Sequence, residues 1–176
     1  MKKTIVIYYS NNGSNRFLAH KLAESLHCEM EQIRPRLNVH LFLVFGISLG
    51  NKKIKSNLAE YDRIILTGPI WMGKFISPLK DFVIKYKKNI KELVFVTCCG
   101  SSFKMKDEKF GHGLVFKKVQ QMAENCTHCE ALPISLLVPD DKKEDPQTVM
   151  NTRLNEANFK GEIRHLFDEL ISRLSA

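Results

Sequence analysis

One stretch near the start constrains the chain most: Thr4 to Asn15 reads TIVIYYSNNGSN and runs straight into RFLAHKLAESL. Thr4-Ile5-Val6-Ile7-Tyr8-Tyr9 is β-branched and aromatic, the composition of a strand buried on both faces. It gives way to the small polar residues Ser10-Asn11-Asn12-Gly13-Ser14-Asn15, and a helical pattern begins at once. A buried strand, a polar loop and a helix start in that order make an anion site. The helix offers unpaired backbone N–H groups and the positive end of its dipole to whatever sits in the loop. Side chains of Ser10, Asn12, Ser14 and Asn15 can add donors, and Gly13 permits positive φ or close backbone approach. The stretch lacks both the nucleoside-triphosphate loop and the three-glycine dinucleotide fingerprint, so a single terminal phosphate fits it better than a pyrophosphate. A polar capping turn that binds nothing has the same composition.

The rest of the chain alternates strand and helix patterns. A helix is predicted over about Asn15 to Leu26, with Leu18, Leu22 and Leu26 on one face, and a second strand near Cys28 to Ile33. Asp62 to Gly68 reads as a third buried strand, followed by the loop Gly68 to Lys74, which holds the only tryptophan. Leu79, Phe82, Val83 and Tyr86 line the next helix, which Pro78 can open. A fourth strand, Leu93 to Thr97, ends in Cys98-Cys99-Gly100-Ser101-Ser102. A helix follows from about Gly113 to Ala123, then a fifth strand from Ala131 to Val138, then a solvated linker from Asp140 to Asp145. Ile163, Leu166, Phe167, Leu170, Ile171 and Leu174 give the last helix the cleanest apolar stripe in the chain. Five buried strands alternating with helices predict a three-layer α/β fold, a doubly wound parallel sheet in the order 2-1-3-4-5. Ligands of such sheets sit outside the carboxyl ends of the strands at the switch point. The conspicuous loops follow strands one, three and four, and so predict one place.

Length and composition narrow the class. A chain of 176 residues, 44% hydrophobic and 26% charged, reads as one soluble globular domain over 1–176. Met1-Lys2-Lys3 leads into a strand rather than a signal-peptide core, and the longest apolar run, Leu41 to Leu49, is too short to span a bilayer. That run reads either as a buried connecting helix or as an exposed apolar lip near the site. Five cysteines, an odd number, without an export signal point to reduced thiols in a cytoplasm. The net charge of +8 is spread over short lysine clusters. It favours an acidic partner or an anionic membrane surface; no nucleic acid is expected, because no recognition motif accompanies the charge.

The first loop resembles the flavodoxin phosphate loop, with Ser10, Gly13 and Ser14 in place and Asn12 and Asn15 where threonine is usual. The second loop resembles the family's proline–hydrophobic–aromatic–x–glycine pattern in Pro69, Ile70, Trp71 and Gly73, with Pro78 further on. The resemblance covers nearly the whole chain, in the short-chain form. It implies bound FMN as cofactor, with the phosphate on Ser10, Asn11, Asn12, Gly13, Ser14 and Asn15. The ring would lie between Pro69, Ile70, Trp71, Met72, Gly73 and Lys74 on one side and Thr97, Cys98, Cys99, Gly100 and Phe103 on the other. Trp71 can stack on a flat ring and loop amides can bond its polar edge. The resemblance implies no catalytic side chain and no metal. Lysines at 74, 104 and 106 would favour the anionic reduced flavin, where acidic loops disfavour it.

Cys126-Thr127-His128-Cys129 is a C-x-x-C that precedes the expected fifth strand, at the edge opposite the flavin. Alone it is half a zinc site, which His112 or Cys28 would have to complete. The leading function is FMN-dependent electron transfer between a reductant and either a redox partner protein or a small-molecule acceptor. Two alternatives stay open: a reductase using NAD(P)H on quinones, and a flavodoxin-fold binding module that has lost FMN.

Overall fold

The computed structural model describes residues 2–37, 49–143 and 145–176. Strand β1 (Thr4–Tyr8) runs into helix α1 (Ser14–Ser25), then β2 (Glu29–Gln32) and β3 (Arg63–Thr67). A short antiparallel hairpin of β4 (Ile70–Trp71) and β5 (Lys74–Phe75) precedes α2 (Ser77–Tyr86). After it come β6 (Leu93–Cys99), α3 (His112–Met122), β7 (Cys126–Pro133), α4 (Pro146–Asn151) and α5 (Glu162–Ser175). Five of these strands form one parallel sheet in the order β2-β1-β3-β6-β7. This is the doubly wound arrangement that the sequence alternation predicts.

Strand periodicity divides the core in two. Ile5, Ile7, Ile64, Leu66, Leu93 and Phe95 point to the side covered by α2 and α3, where they meet Leu79, Phe82, Val115 and Val119. Val6, Ile65, Val94 and Val96 point to the other side and meet Leu18 and Leu22 of α1 and Ile163, Phe167 and Leu170 of α5. Central strands β3 and β6 are buried at every position, which is why they read as unbroken apolar runs. Burying a side chain such as Phe82, Phe95 or Phe167 contributes about 1.5–3 kcal/mol each. The parallel register puts the loops after β1, β3 and β6 on one edge of the sheet.

Two expectations need correction. The fifth strand is Cys126–Pro133 rather than Ala131 to Val138, and Ile134–Leu137 coils into a 3₁₀ turn. The apolar run marks the buried end of the strand. Its first half lies at the sheet edge, half-buried, and so carries polar residues. The C-x-x-C therefore lies within β7 rather than before it, still at its amino end, where Cys126 pairs with Leu93. Second, Gly68 to Lys74 is largely a hairpin, not an open loop. Beyond the predicted linker, α4 is capped by Asp145, whose carboxylate accepts the N–H groups of Gln147 and Thr148. The apolar run Leu41–Leu49 lies outside the described residues except for Leu49, which is exposed. On either side of the run, Pro35 and Asn51 form an antiparallel bridge, with Arg36 N–H donating to Gly50 O and Lys52 N–H to Arg34 O.

Candidate functional site

The first loop is built by the helix it precedes. Gly13 caps α1 at φ 98°, a left-handed value that a residue with a Cβ adopts only under strain, and a Cβ built there would meet nothing within 4 Å. A side chain at Gly13 would thus point into open space beside the first turn of α1, whose N–H groups have no intrahelical acceptor. Ser10 Oγ accepts the Gly13 N–H at 3.2 Å and holds the loop closed. Asn11 and Asn12 are exposed. Ser14 and Asn15 turn inward instead. Ser14 Oγ accepts the N–H of Leu154 at 3.1 Å. Asn15 pairs with both backbone groups of Cys98, donating from Nδ2 to its carbonyl and accepting its N–H at Oδ1, each at 2.9 Å. This amide clamp ties the start of α1 to the carboxyl end of β6. Beside the loop, a groove of about 720 Å³ opens between α1 and residues 153–156, with Asn12, Gly13, Arg16, His20 and Arg153 among its lining.

In the second loop Pro69 is buried and Ile70 half-buried, and Trp71 packs edge-on against Tyr9 with ring centroids 6.4 Å apart. Met72 and Gly73 form the hairpin turn at φ 49° and 65°. Two successive positive φ values suit the twist of a two-residue hairpin, but Met72 adopts its value against its own Cβ. Its side chain stands out in solvent, 70% exposed. A Cβ at Gly73 would stand 2.6 Å from Lys109 O and 2.8 Å from Phe110 Cα, so the second and third loops touch there.

The third loop leaves β6 through Thr97, Cys98 and Cys99, all buried, and reaches exposed Gly100 and Phe103. Burial pushes the Cys98 thiol well above its ordinary value and the Cys99 thiol up to about 12, so both are structural neighbours rather than nucleophiles. His112, which sequence reasoning weighed only as a metal ligand, belongs to this edge. It is buried at the start of α3, with Nδ1 2.8 Å from Ser101 Oγ and 4.0 Å from Cys99 Sγ. Phe103 lies edge-on against its ring. Burial, and secondarily Lys106, hold the imidazole pKa below its usual range. Nothing local in the sequence marked His112, since its partners precede it by eleven and thirteen residues. Among the described residues no group of three or more histidine, cysteine or acidic side chains could hold a metal.

The edge therefore presents Asn11, Asn12, Gly13, Met72, Lys74, Gly100 and Phe103 at or near the surface, over an internal layer of Ser14, Asn15, Pro69, Thr97, Cys98 and Cys99. The sequence profile of the family described as "Flavodoxin domain" matches residues 5–132. The chain belongs to the flavodoxin domain family. Among solved structures, the flavodoxin domain is similar to a flavoprotein from Lactobacillus acidophilus NCFM in complex with FMN. That likeness has 18% identity and TM-score 0.59, and covers 74% of this chain and 93% of the other. A protein from Bacteroides uniformis ATCC 8492, also 18% identical, matches with TM-score 0.57 over 85% of this chain and 98% of its own. These likenesses agree with the fold. A search of curated proteins by sequence found no match. No helix among the described residues is long and apolar enough to cross a membrane.

Proposed function

We propose that this flavodoxin domain binds FMN and passes electrons between a reductant and an acceptor, either a protein or a small molecule. The observation that carries the reading is the open helix start at Gly13, on the same sheet edge as the touching hairpin and third loop. Bound FMN would supply one- and two-electron redox chemistry at its ring. The chain's own part is to bind and orient. Amides of the first turn of α1 and the Asn12 side chain would hold the terminal phosphate, with Arg16 exposed close by. Trp71, Met72, Gly100 and Phe103 would border the ring. Asn15 acts at one remove, by fixing the first loop against β6.

The test is an absorbance spectrum of purified protein before and after adding FMN and desalting. Retained flavin bands are expected. In Ser10→Asp the carboxylate can still accept the Gly13 N–H, so the loop keeps its shape while its charge repels a phosphate. Affinity should fall at least about tenfold, an effect of roughly 1.4 kcal/mol. The second reading, a fold that has lost FMN and serves as a binding module, is favoured by the internal bonds of Ser14 and Asn15. A colourless protein that FMN does not reconstitute would decide for it.

A further inference from the structure

The C-x-x-C in β7 is left unused by the flavin reading, and it lies at the other end of the sheet. A strand normally sends residues three apart to opposite faces. Here the pairing passes from Leu93 opposite Cys126 to Val94 opposite His128, so Thr127 is an extra, unpaired residue. This bulge turns Cys126 and Cys129 to the same face. Both pack against the core cluster that α3 covers, and their sulfurs lie 3.6 Å apart. His128 and Glu130 bond Arg173 of α5 instead. β7 is an edge strand, and both cysteines are half-buried rather than sealed.

The geometry points to Cys126 and Cys129 as a thiol–disulfide exchange site for low-molecular-weight disulfides such as glutathione disulfide. Cys126 is the attacking sulfur. The hydrogen bond from the Cys129 thiol is the main cause that lowers its pKa, against the cost of burial, while the Cys129 thiol is pushed up. The other three cysteines are poor competitors, since burial raises Cys28 to about 11, Cys99 to about 12 and Cys98 well above its ordinary value. In the first step the Cys126 thiolate displaces one glutathione thiolate and forms a mixed disulfide. In the second, Cys129 loses its proton, attacks the Cys126 sulfur and expels the second glutathione. Two protein thiols are oxidised, one glutathione disulfide is reduced to two thiols, and the two protons end on them. Closure must bring the sulfurs from 3.6 Å to about 2.05 Å, a movement the bulged edge strand can absorb at Thr127.

The experiment treats the full chain with excess glutathione disulfide, blocks free thiols with iodoacetamide after denaturation, and reads the tryptic peptide 119–142 by mass spectrometry. That peptide carries Cys126 and Cys129 and no other cysteine. It should lose two hydrogens and take no label, while Cys28, Cys98 and Cys99 stay labelled. In Cys129→Ser a glutathione adduct should accumulate on Cys126, at least about tenfold faster than on Cys28. The reaction uses no flavin, so the same outcome is expected with or without FMN. A peptide that keeps both labels, or an adduct on the wild type that never closes, would overturn the assignment. Should the variant not fold, the wild-type peptide decides alone.

Discussion

Asn15 makes the most instructive single contact. Its amide satisfies both the N–H and the C=O of Cys98, which lies 83 residues away and is buried. Asn15→Ala should leave both groups without a partner, at about 1–3 kcal/mol for each unsatisfied group. A urea titration should show a midpoint well below the wild type, with flavin affinity reduced in parallel. An unchanged midpoint would mean that water replaces the amide freely. This residue also marks what the sequence could reveal. The order strand, polar loop, helix was legible from Thr4 to Leu26, because β-branched runs and leucine spacing are local signals. That Ser14 and Asn15 turn inward was not legible, for their partners Leu154 and Cys98 are distant in the chain and a polar loop residue looks solvated until its partner is known.

Two elements at the carboxyl edge carry their own consequences. The β4–β5 hairpin depends on Gly73, where any side chain meets both the positive φ and the backbone of Lys109 and Phe110. Gly73→Val should destabilise the fold by roughly 1–3 kcal/mol and separate the second loop from the third. Faster hydrogen exchange at residues 100–111 would report the separation, and unchanged protection there would mean that the loops do not depend on each other. The start of α3 brings a pH dependence through His112. Its folded pKa is depressed, mainly by burial, so below about pH 6.5 the unfolded chain takes up the proton more readily than the folded one. Its contribution is fully present above the unfolded value. It is lost as pH falls toward the folded one, at up to about 1.4 kcal/mol per pH unit. Denaturation midpoints at pH 5 and pH 7.5 should differ in the wild type and converge in His112→Asn. The same scale explains the misplaced fifth strand. An edge strand with polar, half-buried first residues lacks the apolar run that marks β3 and β6, and Ile134 to Leu137 supplies that run without the ladder.

Charge acts on the whole molecule. The net +8 is concentrated on no single arm, yet Lys74, Lys104, Lys106 and Lys109 are all exposed in the loops that would border the ring, against Asp107 and Glu108. A cation near a ring that gains negative charge on reduction favours the reduced form. A unit charge at 4 Å in water-like surroundings is worth about 1 kcal/mol, and less at greater distance. For a two-electron couple about 1.4 kcal/mol corresponds to roughly 30 mV, so a few net positive charges should raise the potential of bound FMN by tens of millivolts. Acidic loops at this edge would have the opposite effect. A redox titration of the reconstituted protein should therefore give a less negative potential for the fully reduced flavin than in a carrier with acidic loops. Because the lysines are exposed, salt should screen their effect and draw the potential back down. Replacing Lys74 and Lys104 by glutamine should lower the potential at low salt and leave it nearly unchanged at high salt. If it stays as low as in an acidic carrier at every salt concentration, the loop lysines do not tune the ring. Their charge would then serve association with an acidic partner alone, which salt-dependent binding rates would reveal.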